Sequence, residues 1–216
     1  MEKKSVTAAV VVAHPDDETI WAGGTVRMHP EWQWTVISLC RGSDRERAPR
    51  FLRAVRELGG TGKIGDLDDE PEQVPLPEAQ VQQVLLSLLP PEQFKFVLTH
   101  SPYGEYTRHR RHEETSKAVV NLWEQGLIRT GELWMFAYKD NGKGGKDDLP
   151  RAIKTAHMVV QLPETIWRGK YRTITEIYGF SQESYEANIT LREEAFWCFR
   201  SPAEFQEWLR AGRREQ

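Results

Sequence analysis

The sequence VTAAVVVA, residues 6–13, decides the fold. It is a continuous apolar run rich in valine, without the alternation of a half-buried strand, which is typical of a strand buried on both faces of a parallel sheet. Similar runs follow at residues 35–40, 94–99 and 133–138. We expect these four runs to be strands of one sheet.

Helical patterns lie between these runs. Apolar residues recur there at helical spacing, and most of these segments stop at glycine or proline. The predicted helices span residues 19–28, 45–58, 77–89 and 112–125, with a charged helix at 202–213. Strands that alternate with helices indicate βαβ units. We therefore predict an α/β fold with a Rossmann-like, mostly parallel sheet flanked by helices in a single domain.

The predicted domain comprises residues 1–216, with its core at about residues 5–138. The C-terminal region, residues 150–216, is expected to pack on that core. Two polar stretches are expected to be loops. Residues 62–77 are acidic and contain several prolines, and residues 139–148 are rich in glycine and are expected to be flexible.

The composition narrows the classes of partner. The chain has 39% apolar residues and a formal net charge of −3, so it is typical of a globular protein and lacks the basic surplus of a nucleic-acid binder. No apolar run reaches the length that spans a bilayer. Cys40 and Cys198 lie in apolar surroundings without a CxxC partner, which fits a reducing cytoplasm. We expect a cytoplasmic protein with a small-molecule substrate, and a homo-oligomer is compatible with the sequence.

A polar cluster directly follows the first predicted strand. It contains His14, Asp16, Asp17 and Glu18. In an open parallel sheet, ligands bind beyond the carboxyl ends of the strands, and carboxylates packed there need pairing, hydration or a metal. Catalytic zinc takes three protein ligands and leaves one position open. His14 and one of the two aspartates can supply two of these ligands.

The third predicted strand of this set, residues 94–99, is also followed by histidines. His100 comes directly after it, and His109 and His112 lie further along. The last two are three residues apart, which places them on one side of a helical turn. One of them can bind a metal while the other faces a substrate.

Spacing alone leaves simpler alternatives open. Pro15 and the aspartates are also typical of a turn followed by a capped helix. Histidines near a strand end are often solvated, and the Arg108–Arg111 charges suit either a phosphate-binding patch or an exposed face paired with glutamates. A nucleotide-binding Rossmann protein is disfavoured, because the first strand lacks a Gly-rich GxGxxG turn and carboxylates there would repel phosphate.

Three motifs resemble those of one family. Residues 13–18, AHPDDE, followed by Gly23-Gly24-Thr25, look like the signature of the LmbE/PIG-L family of N-acetylglucosaminyl deacetylases. The pair His109 and His112 is similar to the family's second motif, usually HPDH. The segment 47–59, an arginine followed by a helix that ends in Leu-Gly, resembles a third pattern. The C-terminal part matches only loosely.

The resemblance implies a set of roles. His14, Asp17 and His112 match the ligands of Zn²⁺ or another divalent transition metal. Asp16 matches the catalytic general base. The remaining two roles belong to side chains that meet the substrate. They are a catalytic, protonated His109 that stabilises the transition state and Arg47, which contacts substrate hydroxyls. Tyr106, close before the histidine pair, is a candidate for the wall of the substrate pocket.

The chain also departs from the family pattern. It has His-Arg-Arg-His where the family usually has His-Pro-Asp-His, which removes a carboxylate that could orient an imidazole. Glu105 or Glu113 could replace it. Arg50 stands where the family commonly has glutamate. The family's substrate-contacting aspartate has no clean match, and Asp68 and Asp69 are the candidates.

The expected function is that of a metal-dependent N-deacetylase. It would hydrolyse the N-acetyl group of an N-acetylglucosamine-type amino sugar or conjugate to a free amine and acetate. Two alternatives remain. One is a metal-dependent amidohydrolase acting on a non-sugar N-acyl substrate, and the other is a non-catalytic metal- or sugar-binding protein of the same fold.

Overall fold

The computed structural model describes residues 5–106, 108–142 and 149–212. Seven strands form one sheet in the order β3-β2-β1-β4-β5-β9-β8. They are β1 (Thr7–Val12), β2 (Gln33–Cys40), β3 (Thr61–Leu67), β4 (Gln93–Thr99), β5 (Arg129–Phe136), β8 (Met158–Gln161) and β9 (Glu193–Phe199). A separate pair consists of β6 (Tyr138–Lys139) and β7 (Arg151–Ala152).

The helices lie between and after these strands. They are α1 (Asp17–Met28), α2 (Arg47–Glu57), α3 (Glu78–Leu88), α4 (Arg110–Glu124), α5 (Glu164–Arg172), α6 (Tyr185–Asn188) and α7 (Pro202–Ala211), with a π-helical turn at Thr173–Ile177. The first five strands run parallel, and β9 pairs antiparallel with β5 and with β8. This architecture confirms the predicted α/β fold with a mostly parallel sheet.

The core lies on both faces of the sheet. Val10 and Val12 of β1 pack on one face with residues of α1 and α2, such as Phe51. Val11 packs on the opposite face with residues of α3 and α7, such as Leu85. Because successive side chains of a strand point to opposite faces, a strand covered on both sides has no polar position. This explains why the first run is continuously apolar.

The structure corrects the predicted loop at residues 62–77. Its first part belongs to β3, which pairs in parallel with β2. The strand was not predicted because the segment TGKIGDL contains two glycines and two charged residues. It lies at the edge of the sheet and is largely exposed to solvent or half-buried, so an apolar run is not required there.

The second half of the chain also differs in detail from its expected description. Lys139 pairs with Arg151 in the β6–β7 pair, and residues 143–148 of the predicted flexible loop lie outside the described residues. The C-terminal region contributes two strands to the central sheet. Of these, β9 lies between β5 and β8.

Four parallel strands bring polar residues to one edge of the sheet. His14 follows β1, Arg41 follows β2, Asp69 follows β3 and His100 follows β4. The carboxyl ends of parallel strands meet at the same edge, so these residues, which are far apart in sequence, become neighbours. No helix within the described parts of the chain is long and apolar enough to cross a membrane.

Candidate active site

The three predicted metal ligands converge on one point. His14 Nδ1 lies 3.2 Å from Asp17 Oδ2 and 3.1 Å from His112 Nε2. The third side of this triangle, from His112 Nε2 to Asp17 Oδ2, is 3.3 Å. His14 leaves β1, Asp17 begins α1, and His112 lies in the first turn of α4. Two strand ends thus supply a single cluster.

The triangle has the dimensions of a zinc site. Ligand atoms at about 2.0–2.1 Å from zinc in a tetrahedral arrangement lie about 3.3 Å from one another. The measured separations of 3.1–3.3 Å agree with this. Two histidines and one carboxylate are also a known ligand set of catalytic zinc. The side chains present therefore fit a divalent transition metal.

A second possible donor group contains His100 in place of His14. However, Ala13 N–H donates to His100 Nε2 over 3.0 Å, which occupies the lone pair that a metal would need. The other ring nitrogen, Nδ1, lies 2.9 Å from Glu105 Oε1. His100 is fully buried, and both of its nitrogens are used within the protein. We therefore favour the triangle that contains His14.

Each of the three candidate ligands is held by a second polar group. Glu105 Oε2 lies 2.6 Å from His112 Nδ1, and Asp69 Oδ1 lies 3.0 Å from His14 Nε2. Carboxylates in these places fix the ring orientation and the tautomer of metal-binding histidines. For Asp17, the Trp21 indole N–H donates to Oδ1 over 3.1 Å and leaves Oδ2 facing the two imidazoles. The pKa of Asp17 stays well below its usual value although the residue is buried, because His112 and His100 are close.

The structure decides between the two glutamates considered as replacements for the missing aspartate. Glu105 accepts from the candidate ligand His112, whereas Glu113 pairs with Arg108 on the surface. It also shows how Arg111, which stands where the family usually has aspartate, is accommodated. Arg111 is 1% exposed and bonds to Asp68 Oδ2 over 3.1 Å. It bonds to Glu114 Oε2 over 2.7 Å as well, so its charge is paired within the fold.

The backbone turn that presents Asp16 is strained, and Glu18 holds it in place. Asp16 has φ 109°, a region that a residue with a Cβ adopts at a cost. Its backbone N–H donates to Glu18 Oε2 over 3.0 Å. The other oxygen of Glu18 accepts from the Tyr178 hydroxyl over 2.7 Å. Glu18 is fully buried and therefore supports the turn instead of facing a substrate.

The carboxylate of Asp16 lies beside the candidate ligands and is paired with Arg47. Arg47 Nη1 donates to Asp16 Oδ2 over 2.8 Å, and its guanidinium lies 4.7 Å from the centre of the Phe180 ring. Burial, followed by the charge of Asp17, raises the pKa of Asp16 to about 8, although Arg47 opposes this. A carboxylate with a raised pKa is better suited to accept a proton near neutral pH than an ordinary aspartate.

His109 lies against the same cluster, with its ring centre 4.7 Å from that of His14 and 4.6 Å from that of His112. Its Nδ1 is buried and has no hydrogen-bond partner among the residues that the structure describes. Burial and the neighbouring histidines lower its pKa to about 4. Burial therefore favours the neutral ring, whereas the protonated form was expected from the sequence.

Two cavities of about 200 Å³ each open on the cluster and share His14, Asp16 and His109. The first, which we call the polar cavity, is further lined by Pro15, Arg41, Arg47 and Asp69. The second, which we call the apolar cavity, extends instead over Ile20, Trp21, Tyr106, Tyr185, Glu186 and Ile189. The two predicted substrate-binding residues thus lie in different cavities.

The Gly23-Gly24-Thr25 motif has a structural explanation that the sequence did not reveal. The backbone N–H groups of Gly24 and Thr25 each donate to the Glu194 carboxylate of β9 over 2.7 Å. Lys170 Nζ pairs with the same carboxylate over 2.8 Å, and both charged residues are fully buried. A Cβ on Gly24 would lie 2.4 Å from Leu162. These contacts fix α1, the helix that begins with the candidate ligand Asp17.

Several supporting residues were missed or only partly recognised from sequence. Trp21 is 2% exposed and belongs to the core, but its indole also holds a candidate ligand. Tyr178 lies far along the chain in a segment without a recognisable motif, so nothing linked it to Glu18. Asp69 was one of two candidates, and only the folded position of β3 shows that it contacts His14.

Comparison with known proteins gives both sequence and fold relatives. An uncharacterized protein, L374, of Acanthamoeba polyphaga mimivirus is 27% identical over 148 residues, which cover 61% of this chain and 62% of that relative. N,N'-diacetylchitobiose deacetylase from Pyrococcus horikoshii has a similar structure, with a TM-score of 0.68 at 15% identity over 91% of this chain and 85% of that chain.

GalB, the 4-carboxy-2-hydroxymuconate hydratase from Pseudomonas putida KT2440, also has a similar structure. Its TM-score is 0.57 at 18% identity over 96% of this chain and 88% of that chain. At these identities the structural likenesses show the fold alone. The family model described as PIG-L, GlcNAc-PI de-N-acetylase, matches residues 9–123, a range that includes all three candidate ligands, Asp16 and His109. The chain belongs to the PIG-L family.

Proposed function

We propose that this protein is a metal-dependent de-N-acylase acting on an N-acetylglucosamine-type amino sugar or conjugate. The observation that carries the proposal is the triangle of His14 Nδ1, Asp17 Oδ2 and His112 Nε2 beside the Asp16 carboxylate, in a chain of the PIG-L family. The description of that family, GlcNAc-PI de-N-acetylase, and the deacetylase among the structural relatives support the amide as the bond that is cleaved.

The three residues of the triangle would hold Zn²⁺ or another divalent transition metal. Such an ion, when bound, polarises a carbonyl oxygen and lowers the pKa of water to about 7. The contribution of the protein is to present the donor atoms already oriented. Glu105 and Asp69 do this for the two imidazoles, and Trp21 does it for the carboxylate.

Asp16 is the proposed general base. Its Oδ2 accepts from Arg47, so the other oxygen, Oδ1, is the atom assigned to take the proton from the attacking water. The raised pKa of Asp16 favours its holding that proton until the amine departs. The strained turn at φ 109° keeps this carboxylate beside the triangle while Asp17, the next residue, turns toward the two imidazoles.

His109 is proposed to stabilise the developing negative charge as a neutral donor. A neutral imidazole carries one N–H, and the tautomer protonated on Nδ1 uses the atom that has no partner within the described protein. A donor placed where charge develops is worth about 10²–10³ in rate. Arg47 and Arg41 in the polar cavity are suited to bind substrate hydroxyls, and Tyr106 forms a wall of the apolar cavity.

The direct test is the release of acetate and free amine from N-acetylated sugars by the zinc-loaded protein. Asp16→Asn keeps the shape of the side chain but cannot accept the proton, so we expect kcat to fall by about 10²–10⁴ while the bound zinc remains. Asp140→Asn, on an exposed segment, is the control. A panel of N-acyl amines without a sugar separates the two substrate classes. Unchanged acetate release by Asp16→Asn would contradict the proposed mechanism.

We also propose that the protein acts in the cytoplasm on a small molecule. Cys40 and Cys198 are free thiols in the described part of the chain, which is usual in a reducing compartment. Both are at least partly buried, and burial raises the pKa of Cys40 well above its usual value and that of Cys198 to about 12, so neither is a reactive thiolate.

A further inference from the structure

The apolar cavity beside the triangle is much larger than an acetyl group needs. Its volume is about 200 Å³, whereas a water molecule, similar in size to a methyl group, occupies about 30 Å³ in the liquid. Beyond the residues of the cluster, its lining is mostly apolar or aromatic and consists of Ile20, Trp21, Tyr106, Tyr185 and Ile189, together with the carboxylate of Glu186. An acetyl methyl would leave most of this space filled with water.

The two cavities differ in what they can bind. Both are lined by His14, Asp16 and His109, so an amide placed at the cluster has room for its amine side in one cavity and for its acyl side in the other. The polar cavity presents the guanidinium groups of Arg41 and Arg47, which pair well with hydroxyls. Walls made mostly of apolar and aromatic side chains favour a hydrocarbon chain. The acyl side therefore belongs in the apolar cavity.

We infer, on the basis of the proposed function, that the preferred substrate carries an N-acyl chain longer than acetyl, with roughly four to six carbons. Hydrolysis adds one water across the amide. An O–C bond forms, the C–N bond breaks, and the products are the carboxylate and the amine that takes the water's proton. Ile189, 4% exposed and directly after α6, lines the apolar cavity, and we assign to it the role of limiting the length of the chain.

The experiment compares N-acetyl-, N-butyryl- and N-hexanoyl-glucosamine with the zinc-loaded full chain, using release of the amine to obtain kcat/KM. Each methylene that becomes buried is worth about a fourfold increase, so we expect the hexanoyl compound to exceed the acetyl compound by about tenfold or more. Ile189→Phe, which fills the cavity, should restore the preference for acetyl. Ile189→Ala should extend activity to octanoyl. Val159→Phe, on an exposed edge strand, is the control that should leave the profile unchanged.

The outcomes separate the two proposals. If acetyl is removed and hexanoyl is removed at least tenfold more slowly, the long acyl chain is excluded and the deacetylase remains. If no acyl group is removed from any compound, both proposals fall. If Ile189→Phe does not fold, as judged by circular dichroism, Ile189→Ala carries the test, and an unchanged chain-length profile overturns the inference. Binding of hexanoate no tighter than acetate, measured by calorimetry, would also overturn it.

Discussion

Glu105→Gln tests the proposed metal centre without touching a ligand. Glu105 is 2% exposed and accepts from two imidazoles, at 2.6 Å from His112 Nδ1 and 2.9 Å from His100 Nδ1. Glutamine has the same shape, but one of its two acceptor oxygens becomes an NH₂ donor. One ring N–H then faces another donor, because a single amide oxygen cannot replace both carboxylate oxygens.

The expected effect follows from these two contacts. A hydrogen bond to a charged group contributes about 1.5–3 kcal/mol, and each 1.4 kcal/mol is a factor of ten. Losing it on the His112 side should weaken zinc binding by about 10–100-fold, the range typical of residues that orient a metal ligand. Glu113→Gln is the matched control, since Glu113 pairs with the exposed Arg108 and should leave the affinity within about twofold.

Zinc affinity is measured by competition with a coloured chelator at constant neutral pH, with circular dichroism to show that both variants are folded. The reasoning is refuted if Glu105→Gln binds zinc as tightly as Glu113→Gln. It is also refuted if the wild-type chain does not compete with the chelator at all, because the triangle of donor atoms would then not be a metal site.

Three further results are expected. Lys170→Met should lower the free energy of unfolding by about 3–5 kcal/mol, because it leaves its buried carboxylate partner uncompensated, whereas the exposed Lys154→Met should have little effect in denaturant titrations. Gly24→Ala should destabilise the protein by about 1–3 kcal/mol, since the new Cβ would lie 2.4 Å from Leu162. Because the pKa of His109 is lowered to about 4, its ring resonances in metal-free protein should stay in the neutral form as pH falls through 6.5, and a midpoint near 6.5 would contradict the burial argument.

The parts of the fold that could be predicted are those with a local signature. The run at residues 6–13 predicts an inner parallel strand, and the end of that strand predicts that His14 and Asp17 lie at the carboxyl edge of the sheet. The strands β3 and β9 lack such a signature. One is a largely exposed edge strand containing two glycines, and the other begins with the pair Glu193-Glu194, which reads as a polar segment.

The candidate site also has parts that could be predicted from sequence and parts that could not. His112 was expected near His14 from the strand-end rule and the family resemblance, and the structure brings the two rings together. The partners of these rings could not be chosen from sequence, because Glu105 and Glu113 both lie within a few residues of the histidine pair, one before it and one after it. Only the fold shows that one of them turns inward. The state of His109 likewise depends on burial by residues from other elements.

The contact between Glu194 and the helix α1 implies an order in which the parts of the site form during synthesis. Gly24 and its carboxylate partner are separated by 170 positions in the chain. During synthesis the segment up to His112, which carries all three proposed metal ligands, emerges long before the strand that anchors α1. We therefore expect nascent chains that end before residue 193 to capture zinc poorly. Tight metal uptake would then report that the last strand has joined the sheet.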